Sequence, residues 1–239
     1  MTLAVHNLVK TYGGRPVVNQ ISFSIAPGEI VGLLGPNGAG KTTSFYMVVG
    51  IIDPNSGQVL LDNQPINDKA IHERASMGIG YLPQDTSIFR KLTVEENLEL
   101  VLEFQGLTKQ QQENRISDLL QEFGLSNFRK APAAQLSGGE RRRLEIARAI
   151  ATNPRYLLLD EPFTGIDPIA IQDIQRLVRI LQSKGLGILL TDHNPKATLS
   201  IVDRAYIVHD GKVIFSGTNQ EAASNRLVQQ YYLGEDFVL

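Results

Sequence analysis

The sequence predicts an α/β fold in which a helical segment interrupts a lobe built on β-strands. Three observations support this prediction: an apolar strand runs into a glycine-rich loop at Gly35–Thr42, apolar residues take helical spacing from about residue 86, and strand–helix alternation returns at Tyr156. We expect a single domain over residues 1–239. Residues 1–85 and 154–239 would form its core lobe, residues 86–153 its helical lobe, and residues 225–239 a C-terminal tail.

The composition is typical of a globular domain and disfavours several functional classes. Of the 239 residues, 42% are hydrophobic and 20% are charged, and the net charge is −2. This balance gives no reason to expect nucleic-acid binding, and the apolar runs are too short to cross a bilayer. The chain has no cysteine and opens without a secretion leader. We therefore expect a cytoplasmic protein that reaches a membrane only through partner proteins.

Short β-type runs dominate the first part of the chain. Val17–Val18 and Ile21–Ile25 lie between turns rich in glycine and proline, and Glu29–Leu34 is an apolar strand. Thr42–Gly50 should be the helix that follows the glycine-rich loop.

Capping boxes predict the helices of the middle segment. In each, a Ser or Thr precedes a Glu or Gln by three residues: Thr93 with Glu96, Thr108 with Gln111, and Ser137 with Glu140. After Tyr156 the pattern changes again. Asp167-Pro168 predicts a helix start, Gly187–Leu190 a strand, and Ala205–Val208 with Lys212–Phe215 a hairpin.

The run Gly35-Pro36-Asn37-Gly38-Ala39-Gly40-Lys41-Thr42, continued by Thr43, fits the whole P-loop pattern. Glycines let backbone N–H groups approach a phosphate, and Lys41 supplies charge to the β- and γ-phosphates. The Thr42 hydroxyl is placed to bind Mg²⁺. An ordinary glycine-rich turn is the alternative, and the complete spacing after an apolar strand disfavours it.

An acidic pair ends the apolar strand Tyr156–Leu159. We expect Asp160 to hold the Mg²⁺ shell through water and Glu161 to act as the general base for an attacking water. The alternative is that the pair only caps a helix beginning at Pro162, and the P-loop upstream favours the catalytic interpretation.

The most informative run is Leu136-Ser137-Gly138-Gly139-Glu140, in which Ser137, Gly138 and Gly139 head a helix whose free N–H groups suit an anion. Between a P-loop and Asp160-Glu161, this run resembles the signature of the ATP-binding cassette (ABC) family, the motor subunits of ABC transporters. The resemblance covers nearly the whole chain. It implies a P-loop NTPase with a RecA-like α/β lobe, an antiparallel β subdomain and an α-helical lobe, and an ATPase coupled to transmembrane transport.

The resemblance also implies roles that the residues alone leave open. Tyr12 matches the aromatic residue that stacks on adenine, and Gln84 matches the glutamine that binds Mg²⁺ and senses the γ-phosphate. His193 matches the switch histidine that contacts the γ-phosphate and holds Glu161 or the water in place. Taken alone, Tyr12 would be a surface residue and His193 a satisfied polar residue at a strand end.

In the family, the signature of one subunit covers the ATP held by the P-loop of another subunit. The resemblance therefore implies an ATP-dependent, head-to-tail homodimer with two nucleotides, in which Asp167 crosses the seam. It also implies a groove at Asp85–Lys91 that receives a helix from each of two integral membrane subunits. Phe89, beside Arg90, would lie in that groove, although it could equally be a buried packing residue.

Several further runs narrow the resemblance to the ATPase subunits of lipopolysaccharide export: Tyr81–Gln84, Ser87–Arg90, Asp160–Phe163, Thr191–Asn194 and Tyr232–Phe237. Such a subunit would sit on the cytoplasmic face of the inner membrane without touching the lipid cargo. The alternatives are a branched-chain amino-acid importer subunit and a soluble cassette such as the iron–sulfur assembly ATPase.

Two features lie outside the nucleotide site. Arg141-Arg142-Arg143 is interpreted as a charged helix face interleaved with glutamates rather than a nucleic-acid site, and Arg148 is a candidate for orienting the signature helix toward the nucleotide. In the tail, Tyr231–Leu233 and Phe237–Leu239 are too apolar to remain in water, so we expect them to pack on their own lobe or across the dimer.

Overall fold

The computed structural model describes residues 2–234 and residue 237. In this part of the chain the strands are β1 (Leu3–Tyr12), β2 (Arg15–Ile25), β3 (Ile30–Leu34), β4 (Ser56–Leu61), β5 (Gln64–Pro65), β6 (Ile79–Leu82), β7 (Tyr156–Asp160), β8 (Gly187–Thr191), β9 (Arg204–His209) and β10 (Lys212–Thr218). The helices are α1 (Lys41–Val49), α2 (Ile71–Ser76), α3 (Val94–Leu102), α4 (Lys109–Glu122), α5 (Gly138–Ile150), α6 (Pro168–Ser183), α7 (Pro195–Leu199), α8 (Asn219–Ser224) and α9 (Arg226–Val228).

The strands form two sheets. An antiparallel sheet has the order β2-β1-β4-β5, and a six-stranded sheet has the order β10-β9-β3-β8-β7-β6. In the larger sheet only β10 is antiparallel to its neighbour. Because β3, β8 and β7 are parallel neighbours, the loops after all three strands meet at one edge, where α/β sheets bind ligands.

The central strands are apolar on both faces because each face covers a separate core. Ile30 and Leu34 of β3 face the cluster that contains the apolar residues of α3–α6, whereas Val31 and Leu33 face the cluster formed with α1 and the antiparallel sheet. This double burial explains the nearly continuous apolar runs of the parallel strands.

The helices α3, α4 and α5 follow the predicted capping boxes. The hydroxyls of Thr93, Thr108 and Ser137 each accept a hydrogen bond from the backbone N–H three residues later, and the side chain at that position accepts one from the capping residue's N–H. The predicted hairpin is also present, as β9 and β10.

The structure differs from the sequence expectation in the first lobe. Val17–Val18 and Ile21–Ile25 belong to one strand, β2, because a residue with left-handed backbone, Gln20 (φ 58°), lets the strand bend without ending. The strands β4 and β5 and the helix α2 were not predicted, since residues 51–78 lack a strong apolar period.

The described residues of the tail pack on their own lobe. Tyr232, Leu233 and Phe237 contact the core cluster beneath α6, and the Tyr231 ring lies 4.5 Å from the His209 ring. Val238 and Leu239, which the prediction included, lie outside the described residues. Within residues 2–234 and 237, no helix has the length and hydrophobicity needed to span a membrane.

Arg74 connects the end of α1 to the segment before α2. Its side chain is only 1% exposed, and its Nη1 donates to the carbonyls of Met47 (2.7 Å) and Val48 (2.8 Å). The last carbonyls of a helix have no partner within the helix, and a cation suits that end of the dipole. Arg74 therefore anchors the helix that begins at the P-loop.

We predict that Arg74→Ala lowers the free energy of unfolding by about 2–4 kcal/mol, because it leaves buried carbonyls without donors. Urea unfolding measures this loss. The matched control is Arg176→Ala, which removes a side chain that is 73% exposed and paired with Asp173, and which we expect to cost no more than about 1 kcal/mol. Equal stability of the two variants would contradict the anchoring role.

Candidate nucleotide site

The P-loop surrounds a small cavity of about 140 Å³ that Val17, Lys41 and Glu161 also line. The loop requires glycine for reasons of space as well as conformation. A Cβ on Gly40 (φ 102°) would lie 2.5 Å from the Val17 carbonyl oxygen, and one on Gly35 (φ 147°) would lie 2.0 Å from the carbonyl oxygen of Val208. The backbone of two strands thus holds the loop in shape.

The start of α1 offers an anion site. No side chain caps its first turn, so the free N–H groups point toward the loop. The Lys41 ammonium, which is 6% exposed, donates to the carbonyls of Gly35 (2.8 Å) and Pro36 (2.9 Å). Burial lowers the Lys41 pKa, and the nearby carboxylates of Glu161 and Asp160 oppose that effect.

Asp160, the last residue of β7, is fully buried. Neither of its carboxylate oxygens makes a hydrogen bond within the described chain. Burial raises its pKa to about 6, and the adjacent charge of Glu161 adds to the increase. A buried carboxylate without donors is costly, and a cation is the partner that would offset the cost.

Glu161 is held in an unusual position beside His193. Its backbone is left-handed (φ 50°), and its N–H donates to the Thr191 carbonyl at 2.7 Å. The His193 Nε2 lies 2.6 Å from the Glu161 Oε2, and the Thr164 hydroxyl lies 3.3 Å from the same oxygen. Glu161 is 7% exposed and the His193 side chain 44%, so the pair opens toward solvent on the histidine side. The structure thus brings together Lys41, Asp160, Glu161 and His193.

Asp192 fastens the two loops that carry this pair, a role that the sequence analysis missed. Its Oδ2 accepts from the Phe163 N–H and its Oδ1 from the Asn194 N–H, both at 2.9 Å. Burial raises its pKa. The tail also contributes, because the Tyr232 hydroxyl donates to the Asp192 carbonyl at 3.4 Å. The sequence does contain a signal for this role, because Asp192 is a carboxylate at the end of a buried strand and directly precedes His193.

One residue of the charged helix face Arg141–Arg143, Arg142, contacts the interior of the protein, and its ion pair with Glu145 is part of the predicted interleaving of arginines with glutamates. This side chain is buried, and it donates to the three consecutive carbonyls of residues 160–162 at 3.2 Å each. It also reaches the Pro83 carbonyl (3.3 Å) and the Oε2 of Glu145 (2.9 Å), which is buried as well. Arg142 therefore connects the signature helix to the end of β7 and the loop that follows it, which no charge pattern could reveal.

The signature lies apart from the P-loop within one chain. Ser137 caps α5, and Gly138 lines a second cavity, of about 90 Å³, with Thr164 and Gly165. Gln84 lines this second cavity and not the P-loop cavity. Gly139 packs against α6 so closely that a Cβ there would lie 2.8 Å from the Ala170 Cβ.

Two aromatic residues of the prediction are exposed. Tyr12, at the end of β1, is 48% exposed, and the Lys10 ammonium lies 5.4 Å from its ring centre. Phe89 is 47% exposed, so the alternative of a buried packing residue is wrong. Arg148 contacts this segment, with its guanidinium 4.9 Å from the Phe89 ring centre and its Nη1 2.5 Å from the Ser87 carbonyl.

Comparisons with known proteins identify the family of this chain. The family model described as ABC transporter matches residues 18–164. The lipopolysaccharide export system ATP-binding protein LptB of Escherichia coli (strain K12) is 52% identical, covering 100% of this chain and 99% of its own. LptB of Haemophilus influenzae is 51% identical, covering 99% of each chain.

Solved structures show the same fold. The ADP conformation of MJ1267, an ATP-binding cassette of an ABC transporter, is 29% identical with a TM-score of 0.86 and covers 98% of this chain and 100% of its own. The dimeric bacterial cassette MJ0796 is 28% identical with a TM-score of 0.80 and covers 92% of this chain and 99% of its own. By its motifs, its fold and these relatives, the chain belongs to the ABC transporter family, as an ATP-binding cassette.

Proposed function

We propose that this cassette hydrolyses ATP to power lipopolysaccharide export, working as a homodimer on two integral membrane subunits at the cytoplasmic face of the inner membrane. Full-length identity of 52% to an ATP-binding protein named for lipopolysaccharide export supports the cargo assignment. No observation of comparable weight favours an amino-acid importer or a soluble cassette.

The contact of 2.6 Å between Glu161 and His193 at the edge of the P-loop cavity carries the catalytic part of the proposal. Glu161 accepts a proton from the attacking water as the water oxygen bonds to the γ-phosphorus and the bond to the departing ADP oxygen breaks. His193 positions Glu161 and the water. Lys41 and the N–H groups of α1 hold the phosphates, and Tyr12 stacks on adenine.

The residues present also fit Mg²⁺. Asp160 has two buried carboxylate oxygens without donors, and the Thr42 hydroxyl lies at the start of α1. The described residues contain no group of three or more His, Cys, Asp or Glu side chains able to hold a metal by themselves, so phosphate oxygens must complete the shell. When bound, the ion would neutralise charge on the phosphates. Gln84 would be the third ligand of the ion, beside Thr42 and Asp160.

The separation of the two cavities supports a head-to-tail homodimer. One chain offers a P-loop in one cavity and a signature in another, so Ser137–Gly139 of one copy would cover the nucleotide held by the other. The first turn of α6, next to Asp167, exposes 74% of Ile169, an apolar residue suited to a seam between copies. The segment Asp85–Lys91 would then receive the membrane subunits, with exposed Phe89 and Arg90 as contacts.

We predict that Glu161→Gln lowers the ATPase rate by about 10²–10⁴-fold, because an amide cannot accept the proton, while ATP affinity is retained. The variant should elute as a stable dimer with ATP and Mg²⁺ in size-exclusion chromatography. Glu103→Gln, at an exposed position, is the control and should hydrolyse normally. A normal hydrolysis rate in Glu161→Gln would show that this carboxylate is not the base.

We predict a pH-dependent gain in stability for Asp160→Asn. The folded-state pKa of about 6 exceeds the usual 3.8, so the folded protein binds more protons between these values and the carboxyl lowers stability as pH rises through this window. The variant should therefore match the wild type near about pH 4 and exceed it by up to about 3 kcal/mol at about pH 7.5.

Urea unfolding without nucleotide or Mg²⁺ at both pH values measures this difference. Asp118→Asn, at an exposed position on α4, is the control and should show no such dependence. A variant Asp160→Asn that is less stable than the wild type at neutral pH would show that the ionised Asp160 carboxylate does not destabilise the protein in the absence of a cation.

We predict that Phe89→Ala folds normally but recovers at least about tenfold less of the membrane subunits on affinity purification from native membranes, because it removes the apolar contact of the groove. Phe104→Ala is the matched control, since Phe104 is 81% exposed elsewhere on the helical segment. Equal recovery with both variants would exclude docking at Phe89.

The proposed cargo, lipopolysaccharide, is tested with inner-membrane vesicles that contain the complex of this cassette with its membrane subunits. ATP-dependent release of lipopolysaccharide to a soluble acceptor should occur with the wild type and be lost in Glu161→Gln. Hydrolysis in a complex that releases no lipopolysaccharide would refute the cargo and leave the ATPase assignment intact.

A further inference from the structure

A separate cavity of about 420 Å³ lies at the opposite edge of the large sheet from the nucleotide site. Its walls include Tyr156, the first residue of β7, and Leu186, which directly precedes β8, whereas the P-loop and Glu161 follow the last residues of their strands. Three of its lining residues, Ile150, Tyr156 and Leu181, are at least nine-tenths buried and give it an apolar floor. The volume lies within the range of about 300–1,000 Å³ typical of small-molecule sites.

The charged side chains around this apolar floor are mostly basic. Arg115, Arg155 and Lys184 line the cavity with a single carboxylate, that of Glu122. The Lys184 ammonium lies 2.7 Å from the Glu122 Oε1, and the Arg155 Nη1 bonds to Asp62, also at 2.7 Å. Because Lys184 and Arg155 each pair with a carboxylate, the remaining positive charge of the lining is that of Arg115.

Arg115 is a partly buried cation whose hydrogen bonds all go to neutral oxygens. Its Nη2 donates to the Ile150 carbonyl (2.9 Å) and the Asn153 Oδ1 (2.6 Å), and its Nε reaches the Ala151 carbonyl (3.4 Å). These contacts cap the end of α5, where the helix dipole favours a cation. In the described chain, however, no carboxylate pairs with Arg115, and its Nη1 makes no hydrogen bond. Burial lowers the Arg115 pKa, and the nearby carboxylates of Glu122 and Asp118 oppose that effect.

We propose that this cavity binds a small aromatic anion, with the ring system on the apolar floor and a sulfonate, carboxylate or phosphate group between Arg115 and Lys184. The Arg115 Nη1, which makes no hydrogen bond in the described chain, can donate to an oxygen of the acid group, and a hydrogen bond between two charged groups is stronger than one between neutral groups. A bound ligand contacts α4, α6 and the end of α5 together. It therefore raises the thermal stability of the folded protein. The site is independent of the ATPase activity.

The probe is 1-anilinonaphthalene-8-sulfonate, an aromatic sulfonate whose fluorescence rises in apolar sites. Titration of the folded wild-type protein should show saturable binding of one probe per chain, with an increase in melting temperature. Lys184→Gln and Arg115→Gln should each weaken binding about tenfold, the effect of losing one charge-assisted contact. Lys184 is 56% exposed, so Lys184→Gln keeps the test decisive even if Arg115→Gln destabilises the end of α5.

Three controls locate the probe. Arg176→Gln removes an exposed positive charge from the same helix as Leu181 and should leave affinity within about twofold. Phe89→Ala and saturating ATP should also leave it unchanged, because they alter the docking segment and the nucleotide site. The proposal is overturned if the wild type shows no saturable binding, if Lys184→Gln binds like the wild type, or if ATP displaces the probe.

Discussion

The parallel pairing of β7 with β8 is the constraint on which the candidate site depends. Their ladder continues one residue past β7, where the Glu161 N–H donates to the Thr191 carbonyl at 2.7 Å. At this point the backbone of Glu161 is left-handed, and its carboxylate contacts His193. Because β8 also pairs with β3, the same ladder sets both residues beside the P-loop. The geometry of the candidate site is thus a consequence of strand register.

The site concentrates buried charge at the expense of stability. Asp160 is fully buried without a hydrogen-bond donor, and burial moves the pKa values of Lys41 and Asp160 toward neutrality. Arg142 offsets part of this cost through the backbone, because its guanidinium binds the carbonyls at the end of β7 and does not pair with the Asp160 side chain. The carboxylate therefore stays available for a ligand. Strain and uncompensated charge of this kind are typical of functional sites.

Contacts between distant segments connect the nucleotide site to the surface proposed for the membrane subunits. Arg142 binds both the Glu161 carbonyl and the Glu145 carboxylate, and the Glu145 Oε1 accepts from the Ser87 N–H at 3.0 Å. Arg148 then holds the Ser87 carbonyl and covers the Phe89 ring. One helix, α5, thus carries the signature at its start and contacts the docking segment along its length.

The sequence alone determined the elements whose signals are local. The P-loop spacing, the three capping boxes and the apolar strand before Asp160 each depend on neighbouring residues, and the structure has all of them. Only the tertiary structure decided what distant segments do to one another. It buried Arg142 within a run of charged residues, and it placed Asp192 where its carboxylate binds two loops. It also placed Gln84 in the lining of the second cavity. Burial and cross-chain hydrogen bonds arise from packing, and no local period or motif encodes them.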